Sequence, residues 1–282
     1  MPAATSAVAL ALGAAALHAA WNILLKAAGD PLRLSARAMA AGTVLAAPFV
    51  GGAWLLAGRP GLPLPALPVI AVSGIVELAY FILLSTAYRR GELSVVYPIA
   101  RGTAPALSVG AGFLVLGEHA GPLQVAGIAL LLVGLWAVRR PAGSRAALVP
   151  AVLTGVAIAT YTSLDRVGVR LGPAFVYAWV LNLWVAVLLW AWVAAHPGPE
   201  PAGAEPAGWR LSAAVGSAMW ASYFLVLLAL SIAPLVLVAP VREASILLVS
   251  AWGVWRLGER DRGGARLFGA AAVVAGVVLV AV

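Results

Sequence analysis

The chain has no cysteine and little charge, since charged residues make up only 10% of its 282 residues. The lack of cysteine excludes disulfide bonds, thiol nucleophiles and thiolate metal sites. An ordinary soluble domain is about 25% charged and about 45–50% apolar, whereas this chain is 63% hydrophobic. Its polar residues are too few to cover a soluble globule of this size, so most of the chain must contact lipid.

Long apolar runs alternate with short polar connections, and each run is close to the 20 or so residues that cross a bilayer as a helix. The ten runs cover residues 5–25, 35–57, 66–88, 94–116, 121–138, 147–168, 173–195, 210–230, 234–256 and 266–282. They lack the alternation of barrel strands, so the sequence predicts an all-α membrane protein with ten transmembrane helices. The first run is interpreted as a retained span, because it lacks the basic segment that begins a signal peptide.

The net charge of +8 is explained by membrane orientation better than by nucleic acid, because most basic residues flank the predicted spans. About 13 of the 18 lie on the side that holds connections 1–2, 3–4, 5–6, 7–8 and 9–10, and about 3 lie on the other. The positive-inside rule therefore predicts that both termini lie outside.

An internal repeat organises the chain. Residues 101–118 align without gaps with residues 242–259, matching Arg101 to Arg242 and a Leu-Gly-Glu segment to its copy. Gly127 and Gly134 correspond to Gly269 and Gly276, and each pair predicts a strip for close helix packing. The sequence predicts two five-helix units, residues 1–140 and 146–282. Because five is odd, the second unit is inverted, as in many secondary transporters.

The Leu-Gly-Glu segments at 116–118 and 257–259, each followed by a glycine-rich fifth span, resemble the EamA-type branch of the drug/metabolite transporter superfamily. The resemblance extends over nearly the whole chain. It implies a ten-helix carrier of the bacterial inner membrane that moves small metabolites without hydrolysing ATP. It also implies that both termini are cytoplasmic, opposite to the arginine count, so the orientation stays open.

Polar side chains inside spans are costly and are candidates for function by default. We expect substrate binding by His18, Asn22, Tyr80, Tyr97, Arg101, Tyr161, Asn182, Tyr223 and Arg242, and proton coupling by Glu77, Asp165 and Glu243. The two arginines occupy equivalent repeat positions shortly after a proline, which favours an anchor for a carboxylate. For each residue, helix packing is the alternative role.

Two pairings follow from position along the helices. Glu77 and Arg101 lie at similar depth on either side of a short connection, which predicts an ion pair between them. Arg242 and Glu243 are neighbours, and adjacent helix residues project in different directions, so they are not expected to pair. Glu118 and Glu259 end the Leu-Gly-Glu segments and are interpreted as structural, each setting the turn into the next helix.

The predicted function is secondary transport of a small metabolite by alternating access, with proton coupling as an option. The expected partners are a small-molecule substrate and the lipid bilayer, with no nucleic acid, cofactor or metal, in a monomer or homodimer. A channel or facilitator is the alternative. An intramembrane enzyme is less favoured, because the chain has no His-Glu-x-x-His or Gly-x-Ser-x-Gly motif. The substrate stays open among amino acids, organic acids and neutral metabolites.

Overall fold

The computed structural model describes residues 2–26, 30–90, 93–137, 145–197, 208–245 and 263–281. These residues form ten helices and no strand. The helices are α1 (Pro2–Lys26), α2 (Pro31–Leu56), α3 (Ala66–Arg90), α4 (Leu93–Leu114), α5 (Pro122–Ala137), α6 (Arg145–Gly168), α7 (Ala174–Ala195), α8 (Trp209–Ile232), α9 (Leu235–Arg242) and α10 (Gly263–Ala281). Within this part of the chain, α1, α2, α3, α6, α7 and α8 are long and apolar enough to cross a membrane. The prediction of an all-helical membrane protein agrees with this architecture.

Helix ends fall where the sequence supplies capping residues. Asp30 precedes α2 and accepts hydrogen bonds from the backbone N–H groups of Leu32 and Arg33, at 3.0 and 3.1 Å. Pro31 then occupies the first helical turn, where its missing N–H costs nothing. After α4, Gly117 adopts a φ of 61°, a left-handed conformation that glycine reaches without a steric penalty. The polar connections of the sequence therefore contain the signals that end its helices.

The ninth predicted span is the one that differs clearly, because α9 ends at Arg242 although the apolar run continues. Pro240 has no N–H, which removes one hydrogen bond from the helix. The N–H groups of Glu243 and Ala244 donate to the carbonyls of Pro240 and Val241, three residues back, at 3.2 and 3.0 Å. A tight turn thus follows Arg242. The rest of the predicted span, from residue 246, lies outside the described residues.

The helices pack mainly across the two predicted halves. α1 packs against α8, α3 and α4 against α6, and α2 against α7 and α8. α5 packs against α10, where a Cβ added to Gly127 would lie 2.9 Å from the carbonyl oxygen of Gly276. One added to Gly134 would lie 2.7 Å from that of Gly269. The expected close-packing role of these glycines is therefore confirmed.

Glu118 fixes the α8–α9 corner. Its carboxylate accepts the backbone N–H groups of Leu235 and Val236, at 2.9 and 3.0 Å, and pairs with the Arg166 guanidinium at 2.7 Å. Arg166 also donates to the carbonyl of Leu230 near the end of α8. An anion at the start of α9 and a cation at the end of α8 both complement the helix dipoles. Glu118 is structural, as expected, but it contacts α9 rather than setting the turn into α5; Glu259 lies outside the described residues.

Candidate functional site

A small cavity lies within the bundle, lined by residues of α1, α2, α3, α6, α7, α8 and α9. Among the candidate residues named from the sequence, it brings together His18, Glu77, Tyr80, Tyr161, Asn182, Tyr223 and Arg242. Its volume is about 50 Å³, room for a few water molecules at most. Sites for small organic ligands usually measure about 300–1,000 Å³. In this conformation the cavity is therefore too small to hold a metabolite.

Two polar atoms in the wall of the cavity have no hydrogen-bond partner in the described part of the chain. They are Nε2 of His18 and Oε1 of Glu77, and both are buried. A buried polar group without a partner costs about 1–3 kcal/mol, so each is a place where a ligand or a proton would be stabilised. The His18 ring itself is held edge-on against Trp21, with ring centroids 4.6 Å apart.

Three charged residues form a buried cluster beside the cavity. Nη1 of Arg101 contacts both carboxylate oxygens of Glu243, at 3.1 and 3.3 Å, and Nε of Arg242 contacts one of them at 3.2 Å. Nη1 of Arg242 also makes a long contact of 3.5 Å with the Thr162 hydroxyl. Only Arg242 of the two arginines lines the cavity.

This cluster corrects both predicted pairings. The expected Glu77–Arg101 ion pair is wrong, because Arg101 pairs with Glu243 from the other half of the chain. The expectation that Arg242 and Glu243 do not pair is also wrong. The physical reason is that α9 ends at Arg242, so Glu243 lies in the following turn and the angular spacing of a continuous helix does not separate the two side chains.

Asp165, next to the cavity, is fully buried and accepts hydrogen bonds from three hydroxyl groups. Ser73 of α3 and Tyr177 of α7 donate to its Oδ1, at 2.6 and 2.8 Å, and Tyr223 of α8 donates to its Oδ2. One carboxylate on α6 thereby joins four helices. Ser73 and Tyr177 were not predicted. Asp165 and Tyr177 each lie three residues from the facing ends of α6 and α7, and this equal depth is the sequence signal for their contact.

Three tyrosine rings form a row along the cavity wall. Tyr80 and Tyr161 meet edge to face with centroids 5.8 Å apart, and Tyr161 meets Tyr223 in the same manner at 6.1 Å. Such pairs contribute about 0.5–1.5 kcal/mol beyond the area they bury. The row therefore forms an aromatic wall of the cavity. A charged group of a ligand would need a polar partner elsewhere in the lining.

The two predicted amides differ in position. Asn182 lines the cavity while its Nδ2 donates to the carbonyl of Ala178 in its own helix, at 2.8 Å. Nδ2 of Asn22 donates to the carbonyl of His18 at 2.8 Å, and Asn22 is not among the lining residues. The side chain of Tyr97 lies outside the described part of the structure. Sequence reasoning missed the apolar and hydroxyl lining residues Met39, Phe81, Met219, Ser222 and Val226, because such residues are indistinguishable from ordinary helix-packing positions.

The arrangement combines one cation, one anion, a ring nitrogen, an amide and phenol rings in a buried site. That set can bind a small solute with a carboxylate and a second polar group. No group of three or more metal-ligating side chains is present among the described residues.

Comparison with known proteins identifies the first half of the chain. Residues 5–140 match the model of the EamA-like transporter family, which belongs to the drug/metabolite transporter superfamily. No curated protein matches the chain. A protein of known crystal structure is similar over 97% of both chains, with a TM-score of 0.74 and 21% sequence identity, and this likeness concerns the fold alone. Residues 5–140 therefore match a family of transporters of small solutes, and this match together with the apolar helices supports an integral multi-pass membrane protein.

Proposed function

We propose that the protein is a secondary active transporter that moves a small carboxylate-bearing metabolite, such as an amino acid or an organic acid, across the bacterial inner membrane by alternating access. The observation that carries the proposal is the small cavity between the helices, which is lined by the oppositely charged residues Glu77 and Arg242. Ionisable groups are costly inside a bilayer, and those that persist mark transport pathways. A carrier that works by alternating access needs such a site between its two halves.

The packing of the helices supports two inverted units, residues 1–140 and 146–282. α1 packs against α8, and their counterparts in the repeat, α6 and α3, pack against each other. At the α5–α10 contact, Gly127 meets Gly276 and Gly134 meets Gly269, so the pairing runs in opposite directions along the two helices. A pseudo-twofold axis in the membrane plane accounts for both features, and transporters with this symmetry open by rocking one half against the other.

Arg242 is the proposed anchor for the substrate carboxylate. Glu243 already contacts its Nε, whereas its Nη1 has only the long Thr162 contact within the described parts of the chain. A carboxylate binds a guanidinium through short charge-assisted hydrogen bonds, which would replace that weak contact. The aromatic row of Tyr80, Tyr161 and Tyr223 and the Asn182 amide then bound the rest of the solute.

Glu77 is the proposed proton carrier. Two buried arginines, Arg101 and Arg242, and three buried acidic residues, Glu77, Asp165 and Glu243, line the cavity or lie beside it, so one bound proton makes the group neutral. Asp165 is held by three hydroxyls and Glu243 by two arginines, whereas Oε1 of Glu77 has no partner among the described residues. This contrast favours Glu77 over the other two predicted proton sites.

The test uses purified protein in proteoliposomes, with a radiolabelled panel of L-amino acids and dicarboxylic acids. The wild type should show counterflow, in which unlabelled solute inside accelerates labelled uptake, and accumulation driven by a proton gradient. Glu77→Gln should keep counterflow and lose proton-driven accumulation. Arg242→Gln should lose counterflow at least tenfold, and the control Arg59→Gln, in the exposed α2–α3 connection, should retain both activities.

Two results would contradict the proposal. Flux without acceleration by internal solute would indicate a channel, because only a carrier must return its site across the membrane. Proton-driven accumulation that persists in Glu77→Gln would exclude Glu77 as the coupling group and leave the transport proposal standing.

A further inference from the structure

A second concave site lies on the outer surface of the bundle, in a groove of about 470 Å³ between α2, α7 and α8. Arg37, Ala40, Ala41 and Val44 of α2 form one wall, and Trp190, Trp209 and Ser212 form the other. The groove shares no lining residue with the central cavity. Its volume falls within the range of sites that bind small organic groups.

Close contact between α2 and α8 separates this groove from the cavity. A Cβ added to Gly42 would fall on the backbone of Gly216, and one added to Gly216 would fall on the backbone of Ala38. The two helices touch there without intervening side chains. Met39, between the groove residues Arg37 and Ala40, faces the cavity instead. The groove is thus open only to the outside of the bundle.

The groove lies at one end of the helices. Trp209 begins α8, Trp190 lies five residues before the end of α7, and Arg37 lies six residues after the start of α2. At about 1.5 Å per residue, all three lie within about 10 Å of the same end. This end holds the connections that contain most of the basic residues of the sequence. Tryptophan and arginine at this depth are typical of the level of the lipid headgroups.

The groove has a polar part and an apolar part. Oγ of Ser212 is buried and has no partner in the described residues, although it lines the groove, and Arg37 beside it supplies a cation. Val44 and Trp209 are each 67% exposed and Trp190 is 48% exposed, so their apolar surfaces face the surroundings of the bundle. A ligand with a phosphate at one end and a hydrocarbon chain at the other would contact both the polar and the apolar part of the groove.

We propose that this groove binds an anionic phospholipid, with the headgroup phosphate at Arg37 and Ser212 and an acyl chain along Val44 and Trp190. The basic end of the bundle attracts anionic headgroups, and the unpartnered hydroxyl supplies a hydrogen-bond donor for a phosphate oxygen. A free phosphate ester would leave the exposed tryptophan and valine surfaces uncovered. The lipid accounts for both.

The experiment is native mass spectrometry of the purified full chain, titrated with phosphatidylglycerol or phosphatidylcholine. Phosphatidylglycerol should bind preferentially to the wild type. Arg37→Gln should weaken its binding about fivefold, the loss expected for one cation near an anionic headgroup, and Arg37→Lys should restore most of it. Arg33→Gln is the matched control, since it removes a cation from the same end of α2 outside the groove.

Ser212→Val tests the second contact and should also weaken phosphatidylglycerol binding, with normal gel-filtration and melting behaviour. The proposal is overturned if Arg37→Gln and Arg33→Gln have equal effects, or if both lipids bind alike. It is also overturned if glycerol 1-phosphate displaces phosphatidylglycerol at millimolar concentration, because the groove would then bind a soluble phosphate ester. If Arg37→Gln misfolds, the Ser212→Val result decides.

Discussion

Replacement of Asp165 gives a test of how the bundle is held together next to its cavity. Asp165→Asn keeps the shape of the side chain but exchanges one acceptor oxygen for a donor nitrogen. At least one of the hydrogen bonds from Ser73, Tyr177 and Tyr223 is then lost. A hydrogen bond to a charged group contributes about 1.5–3 kcal/mol, and the free energy of unfolding should fall by about that amount.

Asp165→Ala should be far more damaging, because it leaves all three hydroxyls without their acceptor. At about 1–3 kcal/mol for each buried group without a partner, the loss is about 3–9 kcal/mol. That is comparable with the whole stability of a typical domain. The variant should therefore unfold early or fail to accumulate, whereas Asp165→Asn should be recovered folded.

Unfolding in mixed micelles of dodecylmaltoside and sodium dodecyl sulfate, followed by circular dichroism, measures these differences. Asp30→Asn is the matched control, since asparagine caps a helix as well as aspartate does, and its stability should stay within about 0.5 kcal/mol of the wild type. The reasoning is refuted if Asp165→Ala loses no more than Asp165→Asn. It is also refuted if Tyr177→Phe costs as much in the Asp165→Asn background, where its hydrogen bond no longer goes to a charged group, as in the wild type.

Two further predictions use the same unfolding measurement. Glu118→Ala removes the acceptor of the first two N–H groups of α9 and the partner of Arg166. The free energy of unfolding should fall by about 3–5 kcal/mol, as for a broken buried ion pair. A loss below about 1 kcal/mol would contradict this prediction. Gly134→Ala brings a Cβ to 2.7 Å from a carbonyl oxygen of α10 and should cost about 1–3 kcal/mol. Gly110→Ala, which meets nothing within 4 Å, should instead add about 0.5–1 kcal/mol; equal shifts in the two variants would count against the packing argument.

The sequence predicted the helices well because their signals are local. Apolar length, a capping aspartate and a glycine with positive φ each act within a few residues, so nine of the spans agree with described helices to within four residues at each end. The end of α9 at Arg242 was not predicted, because a proline such as Pro240 is compatible with a kinked continuous helix as well as with a helix that stops.

Partners across the bundle could be predicted only in part. Depth along a helix can be counted from sequence, and it correctly indicated that Arg101 needs a buried acid. Counting residues along a helix does not show which way a side chain points around the helix axis, nor which helix of the other half lies next to it. The prediction therefore paired Arg101 with Glu77, whereas in the structure it pairs with Glu243. The same limit hid the hydroxyls of Ser73 and Tyr177, which are distant from Asp165 in sequence or lie beyond a connection.

The contact between Glu118 and the start of α9 has a consequence for biosynthesis. The carboxylate and the N–H groups that it accepts are separated by 117 residues of chain. At a synthesis rate of about 5–20 residues per second, Glu118 waits roughly 6–23 s after its own translation before α9 exists. During that interval the newly inserted first five helices carry a carboxylate whose partners in α9 have not been made, so the first half completes its own structure only when the second half arrives.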